Sequence, residues 1–218
     1  MSAKPLRIDF VSDIACPWCA VGLSALEQAL ARSADAVQAS VHLQPFELNP
    51  QMPPGGQDVG EHLAAKYGST PEQQTQIRDT IRQRGAEAGF AFHPEGRGRI
   101  YNTFDGHRLL HWAGLQGEAQ QRALKRELLA AYHGRAEVIE SHDVLQRAAE
   151  AAGLDGAAAR AVLDSGQYAD EVRAAEQTWL QAGIHSVPSV VVNQRYLISG
   201  GQPAEVFEQA LRKIAQEA

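Results

Sequence analysis

The sequence predicts an α/β protein whose single sheet is assembled from both ends of the chain, with a helical block between them. Three observations carry this. A strand-like run near the N-terminus leads through a helix into a second strand. Helical periodicity dominates from about residue 70 to 182. Two short apolar runs then return, separated by three residues.

The elements follow in order. Leu6, Ile8 and Phe10 alternate and Val11 extends the run, which predicts a buried strand. Ser12-Asp13 marks a turn. A helix follows from about Pro17 to Arg32, with Val21, Leu23, Leu26 and Leu30 on one face. A second strand is expected from about Ser40 to Phe46, ended by Asn49-Pro50. Residues 50–60 hold Pro53, Pro54, Gly55, Gly56 and Gly60 and read as a loop. Thr70 is an expected N-cap, with Pro71 at the first helical position and Glu72 in the first turn. That helix runs to about Ala88, and His93 to Ile100 reads as a loop. Further helices are expected over Thr103–Leu115, Glu118–His133, His142–Ala152, Asp155–Leu163 and Tyr168–Ala182. Val190–Val192 and Tyr196–Ile198 flank Asn193-Gln194-Arg195, a hairpin pattern, and a last helix runs from about Ala204 to Ala215. A β–α–β start fits a parallel pair, which the terminal hairpin extends antiparallel. This outline is a thioredoxin-like fold with a large all-helical insertion. The expected division is a discontinuous domain of residues 1–48 and 167–218 around an insertion of residues 49–166.

Composition narrows the function classes. The 218 residues are 44% hydrophobic and 21% charged, so the chain can bury a core. A net charge of −6 argues against a nucleic-acid surface, which needs a basic stripe. No apolar stretch is long enough to span a membrane. The segment before Asp9 has a positive start but no apolar h-region, so no secretory signal is expected and a cytoplasmic location is.

The chemistry is expected at Cys16-Pro17-Trp18-Cys19. Two cysteines cannot form a disulfide framework, and a bond between residues three apart closes too small a loop to stabilise much. Cys16 falls where a strand gives way to a helix. A helix N-terminus stabilises a thiolate through its free N–H groups and dipole. Pro17 suits the first turn, where a missing N–H costs little. Cys19, one turn on, is placed to attack a mixed disulfide at Cys16. Half of a zinc site, two core cysteines and an inert bond are the bland alternatives. Zinc would need about two further ligands, and the histidines are scattered.

Pro188, in Ser186-Val187-Pro188-Ser189, precedes the late strand. Only about 5–6% of X–Pro bonds are cis, so the residues alone favour trans. Taken with the rest of the chain, however, several stretches resemble the DsbA-like thioredoxin superfamily, and within it the FrnE-type cytoplasmic dithiol–disulfide oxidoreductases and isomerases. They are Ser12-Asp13-Ile14-Ala15-Cys16-Pro17-Trp18-Cys19, Pro45-Phe46-Glu47-Leu48-Asn49-Pro50, Asn102-Thr103 with His107-Arg108-Leu109, Gly183–Pro188, and Ile198-Ser199-Gly200-Gly201-Gln202-Pro203. The resemblance implies a cis bond before Pro188, a loop there that faces the cysteines, and exchange with protein or small-molecule thiols and disulfides. It departs from the family at Ser189, His185-Ser186 and Asp105-Gly106, and no second cysteine pair is present.

Pro17, Trp18, Val187, Pro188 and His107 are thus candidate substrate-binding residues beside catalytic Cys16 and Cys19. Trp18 reads equally as a substrate platform or as packing on the insertion. Asp13 reads first as a turn residue, with a proton role for Cys19 as the alternative. His107 and His111 share a helix face; a satisfied or exposed role is favoured over a metal pair, and the resemblance points His107 at the groove. Arg97 and Arg99 read as a solvated loop before an anion grip. Trp112, Leu109 and Leu110 read as core. No metal or organic cofactor is required, because the electrons travel on sulfur. Glutathione, as a candidate co-substrate, or a protein dithiol could supply them. Two rivals remain: a kappa-class glutathione transferase or hydroxychromene-carboxylate isomerase-like enzyme, and a redox-sensing chaperone or binding module. The CPWC dipeptide does not decide between oxidation, reduction and isomerisation, because potentials of related folds span ~150 mV.

Overall fold

A computed structural model of the chain describes residues 3–217. Met1 and Ser2, which open the segment expected to carry no signal, lie outside the described residues. The elements are β1 (Lys4–Ser12), α1 (Pro17–Arg32), β2 (Val37–Pro45), β3 (Gln57–Asp58), α2 (Val59–Tyr67), α3 (Pro71–Glu87), β4 (Arg99–Ile100), α4 (Phe104–Gly114), α5 (Glu118–Leu129), α6 (His142–Ala151), α7 (Gly156–Ser165), α8 (Ala169–Gln181), β5 (Ser189–Val192), β6 (Tyr196–Ser199) and α9 (Ala204–Glu217). Among them, no helix is long and apolar enough to cross a membrane.

The main sheet has the order β2-β1-β5-β6. β1 pairs with β2 in parallel and with β5 antiparallel, and β6 closes the hairpin. This is the sheet expected from both chain ends. β1 sits in the middle and is buried on both faces, which is why its apolar residues run past strict alternation at Val11.

Alternation along β1 separates two cores. Leu6, Ile8 and Phe10 face α1 and α9, meeting Val21, Leu26, Phe207 and Leu211. Val11 points the other way, to Phe46 and Ile184, with Trp179 of α8 against them. A further core lies in the helical insertion: Leu109, Leu124, Leu128, Tyr132, Leu145 and Val162 gather around Ile14 and Ala15. The turn between β1 and α1 is thus anchored in the insertion's core, and the residue after it is Cys16.

Several boundaries differ from expectation. β2 begins at Val37, because parallel pairing with Lys4 onward extends it. The segments read as loops at 50–60 and 93–100 meet as the two-residue ladder of β3 and β4. A ladder that short leaves no alternation to read. α2 has no buried residue and so no apolar stripe; its visible signal is Asp58, whose carboxylate accepts from the N–H groups of Gly60 and Glu61. The α3 start is as expected, with a capping box between Thr70 and Gln73. α5 stops at Leu129 and continues as a π-helical turn over Ala130–Gly134.

Two departures from the family pattern have local reasons. A Cβ on Gly106 would sit 2.5 Å from Ile14 Cδ1, so glycine lets α4 close on the turn before Cys16. Asp105 accepts from buried Arg108, whose guanidinium also donates to the carbonyls of Val162, Leu163 and Gln167 and so ties α4 to the end of α7.

Gly201 makes a similar close approach beside the cysteines. A Cβ there would meet the Trp18 carbonyl at 2.9 Å and its ring at 3.4 Å. Gly201→Ala is therefore expected to cost about 1–3 kcal/mol by overpacking, read as a lower urea midpoint with unchanged slope.

Candidate active site

Cys16 is the N-cap of α1, in extended backbone, and Pro17 occupies the first turn. Proline's fixed φ suits that position, and its missing N–H is one the helix would leave unpaired anyway. Cys19 follows one turn later, its N–H donating to the Cys16 carbonyl at 3.1 Å. Both cysteines are free thiols. Cys16 is 4% exposed and Cys19 is fully buried.

The two thiols differ in acidity. A hydrogen bond from the Cys19 thiol is the main cause that holds Cys16 below its ordinary value. Burial opposes this, the Cys19 backbone N–H and the charge of Arg97 assist, and Asp13 works against it. Cys19 is pushed well up, first by burial and then by its bond to Cys16. The arrangement gives one nucleophile and one held in reserve. Alkylation of Cys16 by iodoacetamide is thus expected to persist below the pH at which a free thiol stops reacting, while Cys19 stays unlabelled. Peptide mass mapping across a pH series checks this.

The late proline loop closes the site. The Val187–Pro188 peptide is cis. The Cys16 thiol donates to the Val187 carbonyl at 3.6 Å, across 171 residues of sequence. Pro188 is buried, and a Cβ on Gly22 of α1 would stand 3.0 Å from its ring. Trp18, which the sequence left equally as a substrate platform or as packing on the insertion, is half-buried and packs against the main-sheet core, to which Ala88 and Leu129 of the insertion also contribute.

His107 is a correction. The resemblance turned it toward the groove, but it is 2% exposed and its Nε2 lies 3.4 Å from Asp13 Oδ1. Its ring meets the buried Asp13 carboxylate and not an open substrate surface. Asp13 is more than a turn residue. It is fully buried, and its carboxylate accepts from Thr103 Oγ1 at 2.8 Å, from Ala15 N at 3.1 Å and from Leu48 N at 2.7 Å. Burial alone would push Asp13 up; the bond and charge of His107 and the N–H groups of Leu48 and Ala15 outweigh it and hold it below its ordinary value.

Arg97 and Arg99 part ways. Arg99 donates to the carbonyls of Gly55 and Gly56 and pins that loop. Arg97 folds inward, not into solvent. Its Nη1 lies 3.1 Å from His133 Nδ1, and its guanidinium stands 5.2 Å from the centre of the Tyr132 ring. His133 Nε2 lies 2.8 Å from the Ile14 carbonyl. Burial pushes His133 well below its ordinary value, so it is neutral, donating from Nε2 and accepting at Nδ1. The π turn that presents His133 carried no sequence signal. Lys125 was also missed. It is 1% exposed on α5, and its position among Leu124, Leu128 and Leu129, on the apolar face, was the available clue. His111 packs against the Tyr168 ring at 5.2 Å.

This geometry can be set against known proteins. The model of the DSBA-like thioredoxin domain matches residues 7–212. The chain belongs to this DsbA-like thioredoxin family. The crystal structure of a probable DsbA oxidoreductase, SCO1869 from Streptomyces coelicolor, is 38% identical with a TM-score of 0.89, covering 98% of this chain and 91% of that one. The uncharacterized protein YwbO of Bacillus subtilis (strain 168) is 28% identical over 209 residues, 94% of this chain and 96% of its own. The cytosolic disulfide reductase DsbM from Pseudomonas aeruginosa, solved with GSH, shares the fold at a TM-score of 0.66 and 16% identity, covering 96% of this chain and 99% of that one. In this DsbA-like chain the elements that frame the cysteines are β1, α1, the loop before β5 and the insertion.

Proposed function

We propose that the protein is a cytoplasmic thiol–disulfide oxidoreductase that exchanges electrons between its Cys16–Cys19 pair and protein or small-molecule thiols and disulfides. The observation that carries this is the asymmetry of the pair at the helix start: an acidic Cys16 at the N-cap and a buried, weakly acidic Cys19 behind it. Cys16 thiolate attacks a substrate disulfide and one substrate thiolate leaves. Cys19 then attacks Cys16 and releases the second, so the protein is oxidised by two electrons as the substrate disulfide is reduced. The reverse sequence oxidises a dithiol. Val187 and Pro188 flank the reacting sulfur, with Pro17 and Trp18 on the adjoining helix turn, and these would border an extended substrate. Glutathione is the proposed small thiol, in keeping with the GSH bound to DsbM. The chemistry needs no metal or organic cofactor.

The test is turnover. With glutathione as reductant, the protein should accelerate insulin reduction and the refolding of a scrambled disulfide protein. Glutathione conjugation to a chlorinated aromatic, unaffected by Cys19→Ser and without disulfide exchange, would instead identify a transferase. Suppression of aggregation that survives Cys16→Ser, again without exchange, would identify a binding module.

A further inference from the structure

A cavity of about 200 Å³ lies between β2, α4 and α5, with Ala175 of α8 against it. Its inner wall holds Leu43, Leu110 and Lys125, which are 6%, 5% and 1% exposed; its outer wall includes Leu115, 65% exposed. Most polar groups of the wall are already engaged. The Glu118 carboxylate accepts from the Val41 N–H at 3.0 Å. Gln121 accepts from the Leu43 N–H at 3.1 Å and donates to the Leu43 and Leu110 carbonyls, each at 3.2 Å. Both side chains cap β2, the edge strand of the main sheet. Lys125 and His111 differ. Neither makes a hydrogen bond to another described residue, and the His111 ring only packs against Tyr168. Among the described residues, the unpartnered polar atoms sealed inside protein are Ser12 Oγ, Ser33 Oγ, Glu47 Oε1, Arg97 Nε and Glu176 Oε1; Lys125 Nζ is not sealed but borders the cavity.

We propose that this cavity is a binding site for a small organic carboxylate, whose anionic group bonds to Lys125 and whose apolar body lies on Leu43, Leu110 and Pro45. A lysine this deeply buried is ordinarily paired, because an isolated buried charge is costly. Burial pulls the Lys125 ammonium below its ordinary value, and the charges of Cys19, Asp13 and Cys16 oppose that without bonding to it. The Asp13 carboxylate is taken up by His107, Thr103 and the N–H groups of Ala15 and Leu48. A ligand carboxylate supplies the partner that the chain does not. His111, the other unengaged polar group, faces the same cavity. An apolar cavity of roughly 150 Å³ accommodates a benzene ring, so this volume suits an aromatic or short-chain acid. Neither cysteine, Val187 nor Pro188 lines the cavity, so the site is distinct from the exchanging pair and does not depend on it.

The experiment titrates reduced protein with benzoate and, in parallel, with benzamide, an uncharged analogue of similar shape, following backbone amide NMR shifts. Benzoate is expected to bind with a Kd of about 1 mM or tighter, and benzamide at least ~10-fold more weakly, because a hydrogen bond between charged groups is lost. Lys125→Met should weaken benzoate by a similar factor and leave benzamide unchanged. Ala175→Phe, which fills the cavity from α8, should abolish binding of both. Benzoate binding should persist in Cys16→Ser, and iodoacetamide should label Cys16 equally fast with and without benzoate. Equal affinity for benzoate and benzamide overturns the proposal. So does benzoate binding of unmodified strength in Lys125→Met or in Ala175→Phe. No saturable binding at millimolar benzoate overturns it as well, and protection of Cys16 by benzoate would move the ligand to the exchange face. The comparison of benzoate with benzamide uses the unmodified protein, so it decides the matter even where a variant fails to fold.

Discussion

Cys16→Ser is expected to lower catalysed insulin reduction by at least ~10³-fold, because a hydroxyl cannot replace a thiolate in disulfide exchange. The loss should be this complete because nothing nearby can substitute. Cys19, the second thiol, is fully buried and pushed well above its ordinary value by that burial. The substitution should leave the fold intact. The Cys16 thiol meets only the Val187 carbonyl at 3.6 Å and the Cys19 thiol among its hydrogen-bond partners in the described residues, and its backbone role as N-cap does not depend on sulfur. Turbidity of reduced insulin, measured beside a thermal melt, separates lost chemistry from lost structure. Residual exchange within tenfold of the unmodified rate would mean that another group carries the reaction.

Asp13→Ala is expected to cost about 3–5 kcal/mol of folding stability. The carboxylate joins three segments: the turn before α1 through Ala15, the stretch after β2 through Leu48, and α4 with its preceding residue through His107 and Thr103. Removing it strands those donors in the buried interior. The pH dependence follows from the direction of its shift. The folded value lies below the unfolded one, so the carboxylate's contribution is complete above the unfolded value, about 3.9, and is lost as pH falls through the folded value. The deficit of Asp13→Ala should accordingly shrink on acidification. Urea unfolding at neutral pH and near pH 3 measures it. A loss under ~1 kcal/mol would show that water replaces the carboxylate at little cost.

How much of this was legible in the sequence varied with the range of the interaction. The main sheet and the α1 start were readable because Leu6, Ile8 and Phe10 alternate and Pro17 follows Cys16, both local patterns. β3 and β4 were not, because two-residue strands show no period and pair across about forty residues. The position of the Cys16–Cys19 pair at the start of α1 was legible from its spacing and place. Its surroundings were not: Asp13, Arg97, His133 and Lys125 come from four segments, and only tertiary packing shows which of the chain's many charged residues turn inward. His107 shows the opposite error. A resemblance carries a residue's presence more faithfully than its orientation, and here the side chain points to buried Asp13.

The central claim, that Cys16 is the attacking thiol of an exchanging pair, has a direct measurement. Cys19→Ser protein is mixed with oxidised glutathione and the product is weighed intact and mapped. The account predicts one glutathione per chain, attached at Cys16 and stable because no resolving thiol remains. No adduct on Cys16, or an adduct on Cys19 of Cys16→Ser protein formed as quickly, would contradict it.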